Sequence, residues 1–375
     1  MGATRQKVLM RTTSFLAYFL LLAGLTTAQL SAERVGGLRF EHLDWELACD
    51  NTRTCRAAGY QQESSRSTVS ILITRKAGAN ELPSARAKLG YYEPESRLEM
   101  LPAQFRFTLR IDNDSLGELI FSKEGMEADL SPSQVSKLVS SLTQSTVITF
   151  QRDDLVLEIS DRGAAAVLLK MDEFQGRVDT PTALVRKGSK PKSQVYSELS
   201  PPVVYAPRFI PSRPKDSLIF SSRKSKLDLQ KELKRTVQST ECMDVYDFEA
   251  FTKFIDWQRI NEQKVLLSSR CYLGAYNATV GFWVINDRPP YAPVLVTTDG
   301  SHSEGSHIFS SHKSRGLGDC WSSDRWTWNG KAFVVTGLQT TGMCRYVAAG
   351  GTWNLPTLVS KIVYVRGHRP PENGK

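Results

Sequence analysis

The sequence predicts an α+β protein with two mostly antiparallel β domains, a few helices and disulfide bracing. Six cysteines, an even number, follow what looks like an export signal, which is typical of a disulfide-bonded chain. Short runs of alternating apolar and polar residues indicate strands, whereas few stretches have helical spacing. The chain that remains after the signal is longer than one core usually takes, and this favours two domains.

Residues 1–28 have the parts of a secretory signal peptide. Basic residues precede an apolar run from Phe15 to Leu25, and Ala28 satisfies the small-residue rule for cleavage. The run is shorter than the roughly 20 residues that span a bilayer. We therefore expect cleavage, no integral membrane span, and a mature protein that is periplasmic or secreted; an uncleaved N-terminal anchor is the alternative.

The charge of the mature chain is mildly basic. Residues 1–28 contain three basic and no acidic residues, so their removal lowers the formal net charge from +9 to +6. Much of the excess lies in one Pro-rich segment. We therefore expect no nucleic-acid partner, and a weak attraction to anionic envelope polymers or lipids.

Residues 34–179 are predicted to form the first domain. Apolar and polar residues alternate in 69–74 and 105–110, which indicates strands. Ser131 followed by Pro and Gln134 is a capping box at a helix start. A second helix is predicted for 164–174, after two more strands.

Residues 180–224 are predicted to be a basic, Pro-rich linker. Seven prolines are interleaved with lysines and arginines, and such a composition favours an extended, semi-rigid chain. The segment is either a solvated tether or a place where a partner docks.

Residues 225–367 are predicted to form a β-rich second domain with two disulfides. A charged helix is expected at 226–238 and another from about Phe248, followed by short strands. Asn329-Gly330 predicts a two-residue type I′ turn, which would pair Trp328 with Lys331 and Trp326 with Phe333.

The cysteines are expected to be bridged to their nearest neighbours in the sequence. This pairing keeps every bridge inside one predicted domain. A zinc site is the rival for any subset, but no Cys-x-x-Cys spacing occurs and exported thiols tend to be oxidised. The predicted bridges are Cys49–Cys55, Cys242–Cys271 and Cys320–Cys344.

An aromatic and basic face is the main candidate binding surface. Tryptophan and arginine are common binding anchors, and the rings could stack on sugars or grip a protein. The alternative is that the tryptophans fill the core of a small disulfide-braced sheet, because burial also requires alternation on one face. The candidate residues are Trp321, Arg325, Trp326, Trp328, Lys331 and Trp353.

Three histidines form a second candidate site. His302, His307 and His312 are spaced by five, and neutral imidazoles could bind zinc or copper if the loop folded back. The alternative is a solvated loop. The sequence has no Gly-x-Ser-x-Gly, His-Glu-x-x-His or phosphate-loop motif. We therefore expect no cofactor, and a non-enzyme rather than an enzyme.

Three cysteine-containing stretches resemble an uncharacterised family of exported bacterial proteins, defined as a domain of unknown function. They are 45–60, with its Cys-Asp-Asn-Thr-Arg-Thr-Cys core, then 318–321 and 344–356. The first half also resembles the invasion-associated locus B family, although that family has further cysteines in mid-domain and none lies between Arg56 and Glu241 here. The resemblance implies a fold and a compartment, but no functional residues.

The function predicted from these observations is non-enzymatic binding in the cell envelope, with an envelope protein or a cell-wall glycan as the partner. One alternative is a hydrolase of envelope polymer that uses the His302–His312 loop. Another is an inhibitor of a foreign hydrolase such as lysozyme.

Overall fold

One large antiparallel sheet forms the N-terminal half of the protein. The computed structural model describes residues 37–65, 68–90, 100 and 102–365. The strands of this half are β1 (Leu38–His42), β2 (Trp45–Cys49), β3 (Cys55–Tyr60), β4 (Val69–Arg75), β5 (Ser84–Leu89), β6 (Gln104–Ile111), β7 (Asp114–Ser122), β8 (Glu127–Asp129), β9 (Ile148–Arg152) and β10 (Leu155–Ile159). In the described residues they pair in the order β1-β2-β3-β4-β5-β8-β7-β6-β9-β10.

Two helices pack on this sheet, and both begin where the sequence predicts. Helix α1 (Pro132–Ser141) has the expected capping box, in which Ser131 N donates to Gln134 Oε1 at 2.8 Å and Gln134 N donates to Ser131 Oγ at 3.4 Å. Helix α2 (Ala164–Phe174) has the predicted bounds. Their apolar faces, which include Leu138 and Leu168, are buried in the same core as the sheet.

The C-terminal half contains short helices followed by two antiparallel sheets. The helices are α3 (Arg223–Leu233), α4 (Met243–Tyr246) and α5 (Phe248–Phe254). The strands are β11 (Val203–Pro207), β12 (Asp256–Arg259), β13 (Lys264–Leu273), β14 (Ala278–Asn286), β15 (Val294–Gly300), β16 (His302–Glu304), β17 (His307–Lys313), β18 (Trp321–Trp328), β19 (Phe333–Thr340), β20 (Leu355–Leu358) and β21 (Lys361–Val365). Strands β12–β15 form one sheet, β16–β20 form the other, and β11 pairs in parallel with β21.

The strands β13 and β14 are buried on both faces, which makes this half three layers thick. Val265 and Leu267 pack with the helices, whereas Leu266 packs against the sheet that contains β18. Successive residues of a strand point to opposite faces. An uninterrupted apolar run is therefore what a middle layer requires.

Helix α3 differs from the prediction at both ends. It was expected over 226–238 and occupies Arg223–Leu233, because Ser222 caps it earlier by accepting a hydrogen bond from Ser225 N at 3.0 Å. Helix α5 begins at Phe248 as expected, and Asp247 caps it by accepting from Ala250 N at 2.9 Å.

The two halves meet along the outer face of β2 and β3. Glu46 accepts hydrogen bonds from Tyr60 Oη at 2.7 Å and from Met343 N at 2.6 Å. Arg345 Nη2 donates to Asp44 at 2.9 Å. The described residues, from 37 to 365, belong to one compact unit. The division into separate folding domains with boundaries at 34–179 and 225–367 stays a prediction.

The segment 180–224, predicted as a linker, is attached to both halves. Leu199 N donates to Thr52 O at 3.1 Å, and β11 lies within the segment and pairs with β21. Many of its side chains are exposed, but Val195 and Ala206 are buried. Its backbone therefore runs along the folded surface at these points.

Three disulfides brace the fold, which confirms the α+β, disulfide-braced fold class. The sulfur atoms are bonded in the nearest-neighbour pairs Cys49–Cys55, Cys242–Cys271 and Cys320–Cys344. The predicted signal peptide, residues 1–28, lies outside the described residues. Among the residues that are described, no helix is both long and apolar enough to cross a bilayer.

Candidate functional site

The hairpin at Asn329-Gly330 has a longer loop than the sequence predicts. Trp328 pairs with Phe333 and Trp326 with Val335, so the predicted register was wrong. A type I′ turn needs positive φ at both central residues, and of the two only Gly330 has it, at 94°. Instead, Asn329 Oδ1 accepts from the backbone amides of Lys331 and Ala332 at 3.0 and 2.9 Å.

The tryptophans at this end of β18 are part of the core. Trp328 is 4% exposed, and it packs with Trp326 and Phe333 in the layer between the two sheets. Trp353 is also buried, at the junction of the two halves, where its Nε1 donates to Ser70 Oγ at 2.7 Å. These three rings therefore do not form a common exposed face.

The basic members of the predicted face have different environments. Arg325 is half-buried, and its Nε donates to Thr336 Oγ1 at 3.2 Å on the neighbouring strand. Lys331 is exposed in the hairpin loop. The loop is longer than predicted, so Lys331 does not pair with Trp328.

Trp321, at the other end of β18, lies half-buried beside a surface loop. Its Nε1 donates to Gly318 O at 2.8 Å, and Lys313 Nζ lies 5.4 Å from the ring centroid. The ring is thus fixed in orientation, with a cation over it.

Five exposed apolar and aromatic residues lie either in the β17–β18 loop, which adjoins Trp321, or on the two segments that contact this loop. We call them the aromatic platform: Tyr272, Leu273, Tyr276, Leu317 and Tyr346. Each is at least 40% exposed. The first three lie at the turn between β13 and β14, Leu317 in the loop between β17 and β18, and Tyr346 in the segment between β19 and β20.

Hydrogen bonds hold the turn of β13 and β14 against the β17–β18 loop. Asn277 Nδ2 donates to Lys313 O at 2.8 Å, and Lys313 N donates to Asn277 Oδ1 at 3.0 Å. A Cβ added to Gly316 would lie 3.6 Å from Tyr276 Cδ1. The backbone of the loop therefore passes directly beside the Tyr276 ring.

An arginine joins the loop to Tyr346. Arg315 Cζ lies 4.1 Å from the centroid of the Tyr346 ring, and Arg315 donates two hydrogen bonds to the Asp319 carboxylate at 2.8 and 2.6 Å. Asp319 also accepts from Tyr346 N at 2.8 Å. The adjacent Cys320–Cys344 disulfide ties the two segments together covalently.

The carboxylate of Asp319 is buried but is held ionised. Burial alone raises the pKa of Asp319, but the hydrogen bonds from Arg315 and Tyr346 N outweigh it and bring the pKa below its ordinary value. Among the described residues, an oxygen of Asp319 and the sulfur atoms of Cys320 and Cys344 lie within 4.8 Å of one another, as the ligands of a metal ion would. Both sulfurs are in the disulfide, so they are not thiolate ligands for a metal.

The three histidines have separate environments, and the structure does not bring them together. His302 stacks on Phe309, with ring centroids 5.0 Å apart. His307 is buried, with Nδ1 at 2.9 Å from Thr327 Oγ1 and Nε2 at 2.9 Å from Tyr364 Oη. Burial, and next the charge of Arg325, lower its pKa. His312 Nε2 lies 3.0 Å from Asp299 O.

Comparison with known proteins places the chain in a family. The model of a protein of unknown function, DUF1176, matches residues 39–360, most of the chain. The chain belongs to the DUF1176 family. This confirms the resemblance to an uncharacterised family, whereas the likeness of the first half to the invasion-associated locus B family stays a prediction.

A curated relative is similar over nearly its whole length. The chain is 22% identical over 342 residues to the uncharacterized protein YpfG of Escherichia coli K12, covering 84% of this chain and 90% of the relative. No solved structure matches the chain significantly. Neither the family description nor the name of this relative assigns an activity.

Sequence reasoning found Trp321 but missed the platform around it. The platform residues lie on three segments that are far apart in the chain, and none of them belongs to a motif. One signal was present in the sequence. Tyr272 and Tyr276 flank Gly274, which marks a strand break, and the loop at such a break runs over the protein surface.

Proposed function

We propose that this protein is an exported, non-enzymatic binding protein that recognises a cell-wall glycan through the aromatic platform and Trp321. The observation that carries the proposal is the exposure of three tyrosine rings on two segments that are held against the loop next to the half-buried Trp321. Hydrogen bonds between Asn277 and Lys313 hold one segment, and a disulfide and the Arg315–Asp319 pair hold the other. Aromatic rings offer flat apolar faces on which the CH faces of pyranose rings can stack.

The cations around the platform favour an acidic glycan over a neutral one. Lys313 lies over the Trp321 ring, and Arg315 lies over the Tyr346 ring. Arg315 also forms a bidentate pair with Asp319, whereas no ion pair of Lys313 is found among the described residues. Lys313 is therefore available to a carboxylate such as those of peptidoglycan, and the mildly basic mature chain is attracted to the same polymer.

The loops of the platform are ordered before any ligand arrives. Hydrogen bonds fix Asn277 to Lys313, and Asp319 to both Arg315 and Tyr346. A binding surface that is already ordered loses less conformational entropy on association, so a small surface can give useful affinity.

Export is the second part of the proposal. Disulfides persist in oxidising compartments, and all six cysteines are bonded in three bridges. Residues 1–28 supply the predicted signal peptide. The envelope, either the periplasm or the outer surface, is therefore where we expect the protein to meet its glycan.

Co-sedimentation with purified peptidoglycan sacculi tests the glycan proposal. The test variant is Tyr276→Ala with Tyr346→Ala. The control is Tyr196→Ala. Tyr196 is 48% exposed, against 49% for Tyr276, and an arginine lies over its ring, as one does over the ring of Tyr346. We expect the parent and the control to sediment with sacculi, and the double variant to bind at least roughly tenfold more weakly.

Three results would contradict the proposal. Equal sedimentation of the double variant, if it is folded, would remove the platform as the site. Release of soluble glycan fragments would contradict a non-enzymatic role. Retention of a protein from envelope extracts, without any binding to sacculi, would replace the glycan with a protein partner.

A further inference from the structure

A groove in the N-terminal half is independent of the aromatic platform. It has a volume of about 530 Å³ and lies between the loop joining β4 to β5, helix α1 and the segment 181–192. This volume lies within the range of roughly 300–1,000 Å³ that is typical of small-molecule sites. The groove is therefore large enough for a small organic ligand.

The walls of the groove are apolar. Val135 and Val139 are one helical turn apart on α1, so both face the groove, and Leu130 and Leu184 contribute to the lining from the adjoining segments. At the rim, Leu82 is 79% exposed. An exposed leucine at the mouth of an apolar groove offers additional surface for an apolar ligand.

The charged groups of the groove are mostly basic. Its lining includes Arg75, Lys187 and Lys192 but only one acidic residue, Glu81. In the described part of the chain, neither Lys187 nor Lys192 forms an ion pair, whereas the neighbouring Lys190 is paired with Asp179 at 2.9 Å. These two lysines are therefore available to an anion.

A buried charge cluster at Arg75 has an excess of positive charge. Arg75, Arg177 and Asp172 are all buried, which places two guanidinium groups with one carboxylate. Arg75 Nη1 and Asp172 Oδ1 lie 3.6 Å apart, and neither atom has a hydrogen-bond partner among the residues that the structure describes. Burial, and next the repulsion from Arg177, lower the pKa of Arg75 to about 10, so it stays protonated at neutral pH.

We propose that this groove binds a medium-chain fatty acid, with the acyl chain along the apolar walls and the carboxylate near Lys187 and Lys192. The apolar walls fit an acyl chain, and the excess of basic over acidic side chains in the lining favours a ligand with an anionic group at one end. A fatty acid has both features. Arg75, which is buried but also lines the groove, adds to its positive potential.

Titration calorimetry with dodecanoate, below its micelle concentration, tests this proposal on the mature, oxidised protein. Ser136 is exposed on α1 and lines the groove, so Ser136→Trp should fill the groove without disturbing the core. Ser133 is exposed on the same helix but does not line the groove, so Ser133→Trp is the matched control. We expect one saturable site in the parent and the control, and at least about tenfold weaker binding in Ser136→Trp.

The charge requirement is tested separately. Dodecanol should bind at least about tenfold more weakly than dodecanoate, and Lys187→Gln with Lys192→Gln should reduce this preference, whereas Lys190→Gln should not. The absence of saturable dodecanoate binding, or equal binding by Ser136→Trp, would overturn the proposal. Binding of an apolar peptide with a free carboxyl terminus, but not of dodecanoate, would overturn the fatty acid as the ligand.

Discussion

The two ends of strand β18 carry tryptophans in opposite situations. At one end Trp328 is 4% exposed between two sheets, and Trp326 packs in the same layer. At the other end Trp321 is half-buried beside Lys313 and the platform loops. Trp321 is an odd number of residues from Trp326 and Trp328 on a strand in continuous register with β17, so it points to the opposite face of the sheet. The difference shows that tryptophans of one strand can belong to the core on one face and to the surface on the other. The surroundings of each ring determine its burial. Strand β14 packs against Trp326 and Trp328, whereas Trp321 lies beside a surface loop.

The largest contrast is expected in the stability of two tryptophan variants. Trp328→Ala should lower the free energy of unfolding by about 3–5 kcal/mol, because it leaves a cavity between the sheets. Trp321→Ala should cost only about 1 kcal/mol, mainly the hydrogen bond to Gly318 O. Urea unfolding measures both values. Similar losses in the two variants would contradict the contrast between the two ends.

A second, smaller contrast concerns the disulfides. Cys320 and Cys344 are 24 residues apart, so replacing both with serine should cost roughly 3 kcal/mol by the loss of unfolded-state restraint. Cys49 and Cys55 are only 6 residues apart, and their replacement should cost nearer to 2 kcal/mol.

The same pair of variants also tests the role of the disulfide in binding. Because the 320–344 bridge ties the platform segments together, its loss should also weaken sacculus binding, whereas loss of the 49–55 bridge should not. Equal effects on sacculus binding would show that the bridge does not organise the platform.

A third contrast depends on pH. The pKa of Asp319 is lowered in the folded state, so its carboxylate stabilises the fold above the ordinary pKa of 3.8, and this contribution is lost as the pH falls through the folded value. Asp319→Asn should therefore cost about 2 kcal/mol at pH 7 and progressively less in acid.

Asp324 is the control, because its pKa is shifted in the opposite direction to that of Asp319. Burial, and next the charge of Asp299, raise its pKa, so its ionisation destabilises the fold as the pH rises above 3.8. Asp324→Asn should thus gain stability relative to the parent between acid and neutral pH. Urea unfolding at several pH values measures both variants, and parallel pH profiles would contradict the assignment.

The parts of the fold that could be predicted are those that residues close together in the sequence determine. The capping box at Ser131 and Gln134 fixes the start of α1, and the apolar pattern of 164–174 fixes α2, so both could be read from the sequence. The three disulfides followed from neighbouring cysteines in a chain that is predicted to be exported. In each case the deciding residues are close together in the sequence.

The hairpin register and the aromatic platform depend on contacts that the sequence does not display. The side chain of Asn329 competes for the turn amides, and this lengthens the loop by two residues relative to the predicted turn. The platform brings together Tyr276, Arg315 and Tyr346 from three segments. Their proximity depends on the Cys320–Cys344 bridge and on the packing of the loops, and no local pattern encodes it.

The most direct measurement compares sacculus affinity with stability in one variant, Tyr276→Ala with Tyr346→Ala. Because both side chains are exposed, we predict a free energy of unfolding within about 1 kcal/mol of the parent. We also predict at least roughly tenfold weaker binding to sacculi. A variant that is as stable as the parent and binds sacculi equally well would contradict the assignment of this surface as the binding site.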